Sequence, residues 1–524
     1  MDTEVIVVGA GHNGLVAAAY LARAGLRVVM FERLPHVGGA AVTEELWPGF
    51  RFSTCAHTVH AIHPRIIRDL RLRERGFEVL SRGPWRRFQP NGTYFGASDD
   101  ASPRNLAYAE RLTPEEREGI RQLDGFRSTL GSLLAPYRLR TPPTLAELRE
   151  RAAGTPVAAV LEQALTMTVS QLHAALLPTE RLKDRFATDT AAAGRDPLAL
   201  SYGYSSISRP DEETGEAPPL GYVRGGTGSF SRILGEVAEE LGVRIHLGQE
   251  VTQFLVESDR VVGIRLADGT EVRGRVVLSN LDPKRTFLRL FEPQHLDPAF
   301  RRRVEGLVTE VSCYKFLAAI SELPRWRSWD GDPDEPSVGS VVLHTTRAHV
   351  AAMYDDVEAG RPPRAPVISV SVPSAVDPSL APPGRHTASV WIYSTPAKLR
   401  EGTWDDVRES VAERLIDQIT EYAPNFRASI LNCRLRTPLD LERETGLTDG
   451  SIWHVQHTAE QLFWNRPLPE LAQYRAPLAG LYLCGAGQHP GGEVSGQPGH
   501  NAAQEVLKDL DRGSPGSGME GKHQ

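Results

Sequence analysis

The first chemical signal is a glycine turn, Gly9-Ala10-Gly11-His12-Asn13-Gly14, placed directly after the apolar run Val5 to Val8. A G-x-G-x-x-G pattern is informative only where a strand leads in and a helix leads out, and both flanks are present here. Gly9 permits the tight turn, Gly11 lets the backbone approach a pyrophosphate, and Gly14 lets helix and strand pack closely. With Ala10 and Asn13 in the turn, the helix start offers unpaired N–H groups and a partial positive charge to phosphate. Glu32 closes the next apolar run, Val28 to Phe31. A carboxylate there accepts both hydroxyls of a ribose and repels a 2′-phosphate, so the expected ligand is a dinucleotide whose adenosine lacks that phosphate.

A second glycine pair, Gly38-Gly39, follows Arg33 and precedes Thr43 in the pattern E-R-x-x-x-x-G-G-x-x-x-T. Its backbone N–H groups can bind the other half of an extended dinucleotide, and Arg33 can offset phosphate charge. Near the other end, Leu481 to Gly487 reads as a buried strand ending in glycines. His489-Pro490-Gly491-Gly492-Glu493-Val494-Ser495-Gly496 and a helix ending near Leu510 come next.

These segments resemble the flavin amine oxidase superfamily and its phytoene desaturase branch. The likeness covers almost the whole chain, including Pro64 to Leu72, Gly225 to Gly228, Val276 to Phe287 and Gln461 to Pro467. Within that branch the chain looks most similar to the pyridine nucleotide-disulfide oxidoreductase domain 2 proteins and to flavoprotein β-carotene ketolases. The resemblance implies FAD, held by Gly9, Ala10, Gly11, Asn13, Gly14, Glu32, Arg33, Gly38, Gly39, Val251, Gly485 and Val494. It also implies an oxidoreductase that removes hydride from carbon to flavin N5, with oxygen, a quinone or NAD(P) as final acceptor. A ketolase or isomerase on the same scaffold, or a flavin-bound protein without catalysis, are the alternatives. Where the family reads H-P-G-G-G this chain has Glu493, which either acts as a base or points to solvent.

Carbon–hydrogen oxidation needs a substrate placed against the flavin and no obligatory side chain. The candidates for acid–base or binding work are therefore only His57, His60, His454, His457 and His489, with His60, His454 and Glu493 foremost. His57, His60 and His63 lie three apart, a spacing that drifts around a helix, and no carboxylate or cysteine adjoins them, so no metal site is expected. The expected substrate is a small lipophilic organic molecule; the substrate side, rich in arginine, suits a smaller or more polar intermediate as well as a long carotenoid polyene.

The elements that must position these residues read as α/β. A Rossmann-like FAD-binding domain of glutathione-reductase and amine-oxidase type, from 1–80, 221–290 and 440–512, interleaves with an α+β substrate domain, from 81–220 and 291–439. Strands are expected at Glu4 to Val8, Val28 to Phe31, Val261 to Leu266, Glu271 to Val277, Val311 to Ile320, Val367 to Val372 and Ala388 to Tyr393. Helices are expected at about Asn13 to Ala24, through Thr113 to Arg185 with breaks at Pro136 and Pro142-Pro143, and at Trp404 to Tyr422. Gly225 to Gly228 is expected to lack the strand-turn-helix of a second dinucleotide site. The Gly- and Ser-rich stretch 513–524 is expected to be disordered.

The chain has 524 residues, enough for a large core, and a formal charge of −7 with no basic face, which argues against nucleic acid. Of 59 basic residues, lysine occurs only at 183, 284, 315, 398, 508 and 522, a bias that suggests a bacterial source. Cys55, Cys313, Cys433 and Cys484 form no C-x-x-C, which excludes dithiol chemistry and favours a reducing compartment. A strand beginning near Glu4 leaves no space for a leader, and arginines interrupt every long apolar run. Both point to the cytoplasm, with peripheral membrane contact left open.

Overall fold

The computed structural model describes residues 3–88, 94–96, 111–190, 192–329, 332, 335 and 340–512. Part of the stretch around Gly83 to Pro103 and the 513–524 tail lie outside them.

Five parallel strands form the sheet that carries the glycine turn, in the order Leu481–Leu483, Val276–Ser279, Val5–Val8, Val28–Phe31, Arg244–His246. The runs VIVV and VVMF are buried at every position, as a sheet covered on both faces requires. Alternate residues divide between two cores. Val5, Val7, Val28 and Met30 pack on the helices His12–Arg23, Thr227–Glu240 and Gln497–Arg512. Ile6, Val8, Val29 and Phe31 pack instead on an antiparallel meander, Val251–Glu257, Arg260–Leu266 and Glu271–Arg273. Gly269, at φ +88°, turns the hairpin, with Asp268 accepting from the Thr270 amide at 2.9 Å.

Two expectations need correction. The run Glu271 to Val277 is not one strand: Glu271–Arg273 ends the meander and Val276–Ser279 joins the parallel sheet. Gly274 marks the change, because a Cβ there would press on Ile6 of the first strand. Gly225 to Gly228 does sit in a strand-turn-helix, between Gly221–Val223 and Thr227–Glu240. Yet that strand pairs antiparallel with Val79–Ser81, away from the parallel sheet. The helix N–H groups are already taken, Thr227 donating to Ser53 Oγ at 3.0 Å and Gly228 to Thr43 Oγ1 at 2.9 Å. The turn therefore locks the Thr43–Trp47 and Phe50–Ser53 hairpin in place, with no N–H left for phosphate.

A second, seven-stranded sheet runs in the order Ile430–Arg436, Val311–Ile320, His386–Pro396, Ile368–Ser371, Ser340–Leu343, Trp85–Phe88, Tyr94–Gly96. The helix Trp404–Tyr422 buries Trp404, Leu415 and Ile419 against Phe316, Ile320, Val390 and Ile392. Antiparallel register sets Lys315 beside Trp391 on the sheet. The expected helical layer is present as Pro114–Leu134, Leu145–Ala152, Pro156–Thr166, Val169–Leu176 and Glu180–Arg185, with the first helix giving way at Ala135-Pro136.

Candidate active site

A cavity holding about 1410 Å³ of empty space, its mouth included, opens at the carboxyl ends of the parallel strands and runs to the second sheet. The crevice past the strand ends is where open α/β sheets bind ligands. Of the expected cofactor residues, Gly9, Gly11, Asn13, Glu32, Arg33, Gly38, Gly39, Val251 and Val494 line it. Ala10, Gly14 and Gly485 do not line it but shape its wall. A Cβ on Gly14 would run into the Gly9 carbonyl, and one on Gly485 would lie 2.8 Å from the Asn280 carbonyl and the His454 ring.

Glu32 is braced rather than free. Its Oε2 accepts from the Ala10 amide at 2.8 Å and its Oε1 from the Leu34 amide at 2.9 Å, leaving lone pairs for further donors. Arg33 lines the cavity with its guanidinium donating to the Glu444 carbonyl at 2.9 Å and the Arg443 carbonyl at 3.4 Å. It thereby ties segment 443–446 to the cavity edge.

Several buried polar atoms of the wall have no partner: His12 Nε2, Asn13 Oδ1 and His454 Nδ1. Buried polar atoms are seldom left unpaired, so these await groups from a ligand, and the glycine cradle and Glu32 suit a dinucleotide. Burial pushes the His12 imidazole down to about 4 and the His454 imidazole to about 3, so both are neutral near pH 7.

Glu493 lines the cavity, while His60 stands behind it. The carboxylate lies 3.4 Å from His60 Nε2 and accepts from Trp453 Nε1 at 3.3 Å, and His60 also contacts Ser208 Oγ at 2.8 Å. Burial raises the Glu493 carboxyl, but hydrogen bonds to His60 and Trp453 outweigh that and leave it below its ordinary value. Its φ of +65° explains the family's glycine at this position, since a side chain there is strained. The other histidines have separate duties. His63 caps the helix Pro64–Asp69, His489 meets the Tyr137 carbonyl at 2.8 Å, and His457 lies against Tyr204 with ring centroids 4.1 Å apart. His57 lines the cavity 5.6 Å from the Trp391 ring.

Sequence reasoning missed Asn280, Trp391, Tyr393 and Trp453, all in the wall. Asn280 follows a parallel strand, a signal that was available, and its Nδ2 donates to the Gly9 carbonyl at 3.3 Å. Lys315 is fully buried, donating to the carbonyls of Ser53 at 2.5 Å and Cys55 at 2.7 Å. Burial holds its amine down to about 7. Arg466, also buried, donates to the carbonyls of Trp453, at 2.8 Å, and Ala486, at 2.9 Å, clamping the two segments that carry the far end of the wall.

A parallel sheet with this glycine cradle, a braced Glu32 and a cavity reaching a second sheet defines a dinucleotide-binding oxidoreductase of two interleaved sheets. Residues 7–71 match the model of the NAD(P)-binding Rossmann-like domain. The chain is 35% identical to the mouse pyridine nucleotide-disulfide oxidoreductase domain-containing protein 2 over 97% of its own length and 94% of that protein. It is 26% identical to the lycopene-forming phytoene desaturase of Pseudescherichia vulneris, covering 94% of this chain and 96% of that one. The solved cyclohexylamine oxidase of Brevibacterium oxydans superposes with a TM-score of 0.62 at 17% identity, covering 98% of this chain and all of that one.

The chain belongs to the pyridine nucleotide-disulfide oxidoreductase domain-containing protein 2 family, flavin-type oxidoreductases related to the phytoene desaturases. The Rossmann-like match and the glycine cradle suit a dinucleotide cofactor. Because relatives include mammalian proteins, the arginine bias gives no ground for a bacterial source, and nothing supports a carotenoid-like substrate in particular.

Proposed function

We propose that this protein is an FAD-dependent oxidoreductase that removes two hydrogens from adjacent carbons of a small organic molecule, leaving a carbon–carbon double bond. The observation that carries this reading is the continuous cavity running from Glu32 to Trp391 and Tyr393, with unpartnered polar atoms along one part and aromatic faces along the other. In this reading 1–80, 221–290 and 440–512 form the cofactor domain, and 81–220 with 291–439 the substrate domain.

Gly9, Gly11, Asn13 and Glu32 would hold the adenosine and pyrophosphate, and Val494, Trp453 and His454 the ring end. FAD, when bound, supplies the hydride acceptor; the electrons leave afterwards to oxygen, a quinone or NAD(P). Neutral His454 offers a hydrogen bond without adding charge. Trp391 and Tyr393 lie two residues apart on one strand, so both project from the same sheet face, where they confine substrate and exclude water. Glu493 accepts the proton from the second carbon, and His60 stabilises the pair behind it.

The test is an anaerobic screen of lipophilic metabolites for bleaching of the flavin band, followed by product mass after turnover in air. A product two hydrogens lighter supports the reading. A product gaining oxygen, or unchanged in mass, would replace it with a ketolase or an isomerase.

A further inference from the structure

A second cavity, holding about 980 Å³ of empty space with its mouth, lies against the seven-stranded sheet. Tyr393, 38% exposed, lines both cavities, so its ring stands where they meet. The charged side chains in this wall are Arg82, Arg87 and Asp189. Asp189 is already held by Arg87 at 2.7 Å and by Arg127 at 2.6 Å, so it has no charge left for Arg82.

Arg82 is partly buried and makes one hydrogen bond, from Nη1 to Ser340 Oγ at 3.3 Å, while its buried Nε has no partner. Among the described residues no carboxylate stands within ion-pair distance of it. Its positive charge acts on His57 and Tyr393 of the first cavity. Glu493, which also acts on Tyr393, is engaged by His60 and does not cancel Arg82. A half-buried guanidinium without a counter-ion is costly, and its planar donors match a carboxylate.

We propose that the substrate is an organic carboxylate whose acid group pairs with Arg82 and whose hydrocarbon part passes Tyr393 toward the first cavity. This rests on the oxidoreductase reading for the word substrate, though the binding itself does not. Trp85, Val342, Met353 and Val367 supply apolar wall beside the arginine, which suits an amphipathic acid. The same positive charge disfavours an amine.

The test is calorimetric titration of the purified full-length protein, incubated with FAD beforehand, with decanoate, decanol and decylamine. Decanoate should bind at least ~10-fold more tightly than either other probe, and Arg82→Met should weaken it about 10- to 100-fold while leaving decanol nearly unchanged. Equal binding of the three, no binding by any, or an Arg82→Met variant that keeps full decanoate affinity would overturn the proposal. Should that variant melt early, Arg82→Lys serves instead, keeping charge while losing the planar fork and part of the affinity. Flavin content measured on the same sample separates the two readings. Carboxylate preference without flavin would sink the oxidoreductase reading alone, and full flavin without the preference would sink this one alone.

Discussion

Glu32 and Glu493 show how much one residue can reveal. Replacing Glu32 with alanine removes the acceptor braced at the strand end. FAD retention, measured as flavin per chain after dialysis, should fall by about tenfold or more, the weight of one or two hydrogen bonds to a charged group. Glu493 is strained in the left-handed region, so Glu493→Gly should be more stable than Glu493→Ala by about 1 kcal/mol in denaturant titration. Equal stabilities would mean that the backbone relaxes. Lys315 gives a pH signature. Its folded-state value of about 7 lies below its ordinary 10.5, so the folded protein binds fewer protons between those limits and stability rises with pH there. Relative to Lys315→Met, the wild type should gain roughly 2 kcal/mol between pH 7 and 9. The glycine turn and Glu32 were readable because their spacing is local. Glu493 was visible as a departure from a pattern, but only the backbone angle explains it. Lys315 gave no signal, since what buries it is the hairpin 43–53 folding over a distant strand.

At the scale of elements, strands and helices followed the apolar periodicity closely. Val311–Ile320 and Trp404–Tyr422 match their expected limits, because each is long and has one clearly apolar face or run. Glu271 to Val277 misled because a run of strand-forming residues does not announce which sheet it joins; Gly274 was the clue. Trp391, Tyr393 and Trp453 could not be assigned to the site, since sheet register and a buried clamp bring them there across hundreds of residues. That clamp is Arg466, and it makes the Q-L-F-W-N-R-P stretch intelligible: the guanidinium satisfies carbonyls that would otherwise be buried and unpaired. Arg466→Met should therefore cost about 3 kcal/mol or more and loosen the Trp453 wall, read as a lowered melting temperature with partial flavin loss.

Across the whole molecule, the parallel sheet takes strands from residues 5–8, 28–31, 244–246, 276–279 and 481–483, so the cradle near the N-terminus depends on chain almost five hundred residues later. A Cβ on Gly499 of the last helix would collide with the Asn13 carbonyl, so that helix packs directly on the glycine turn. Among the described residues no helix is long and apolar enough to cross a membrane. Truncation after Ala479 should abolish flavin binding although the glycine turn from Gly9 to Gly14 and Glu32 remain, and a truncated protein that keeps its flavin would refute the interleaved architecture. The most direct test of the central claim is to release and identify the cofactor of the purified full-length protein. Stoichiometric FAD is the predicted result; a protein that carries no flavin and takes up none when FAD is supplied would contradict the account.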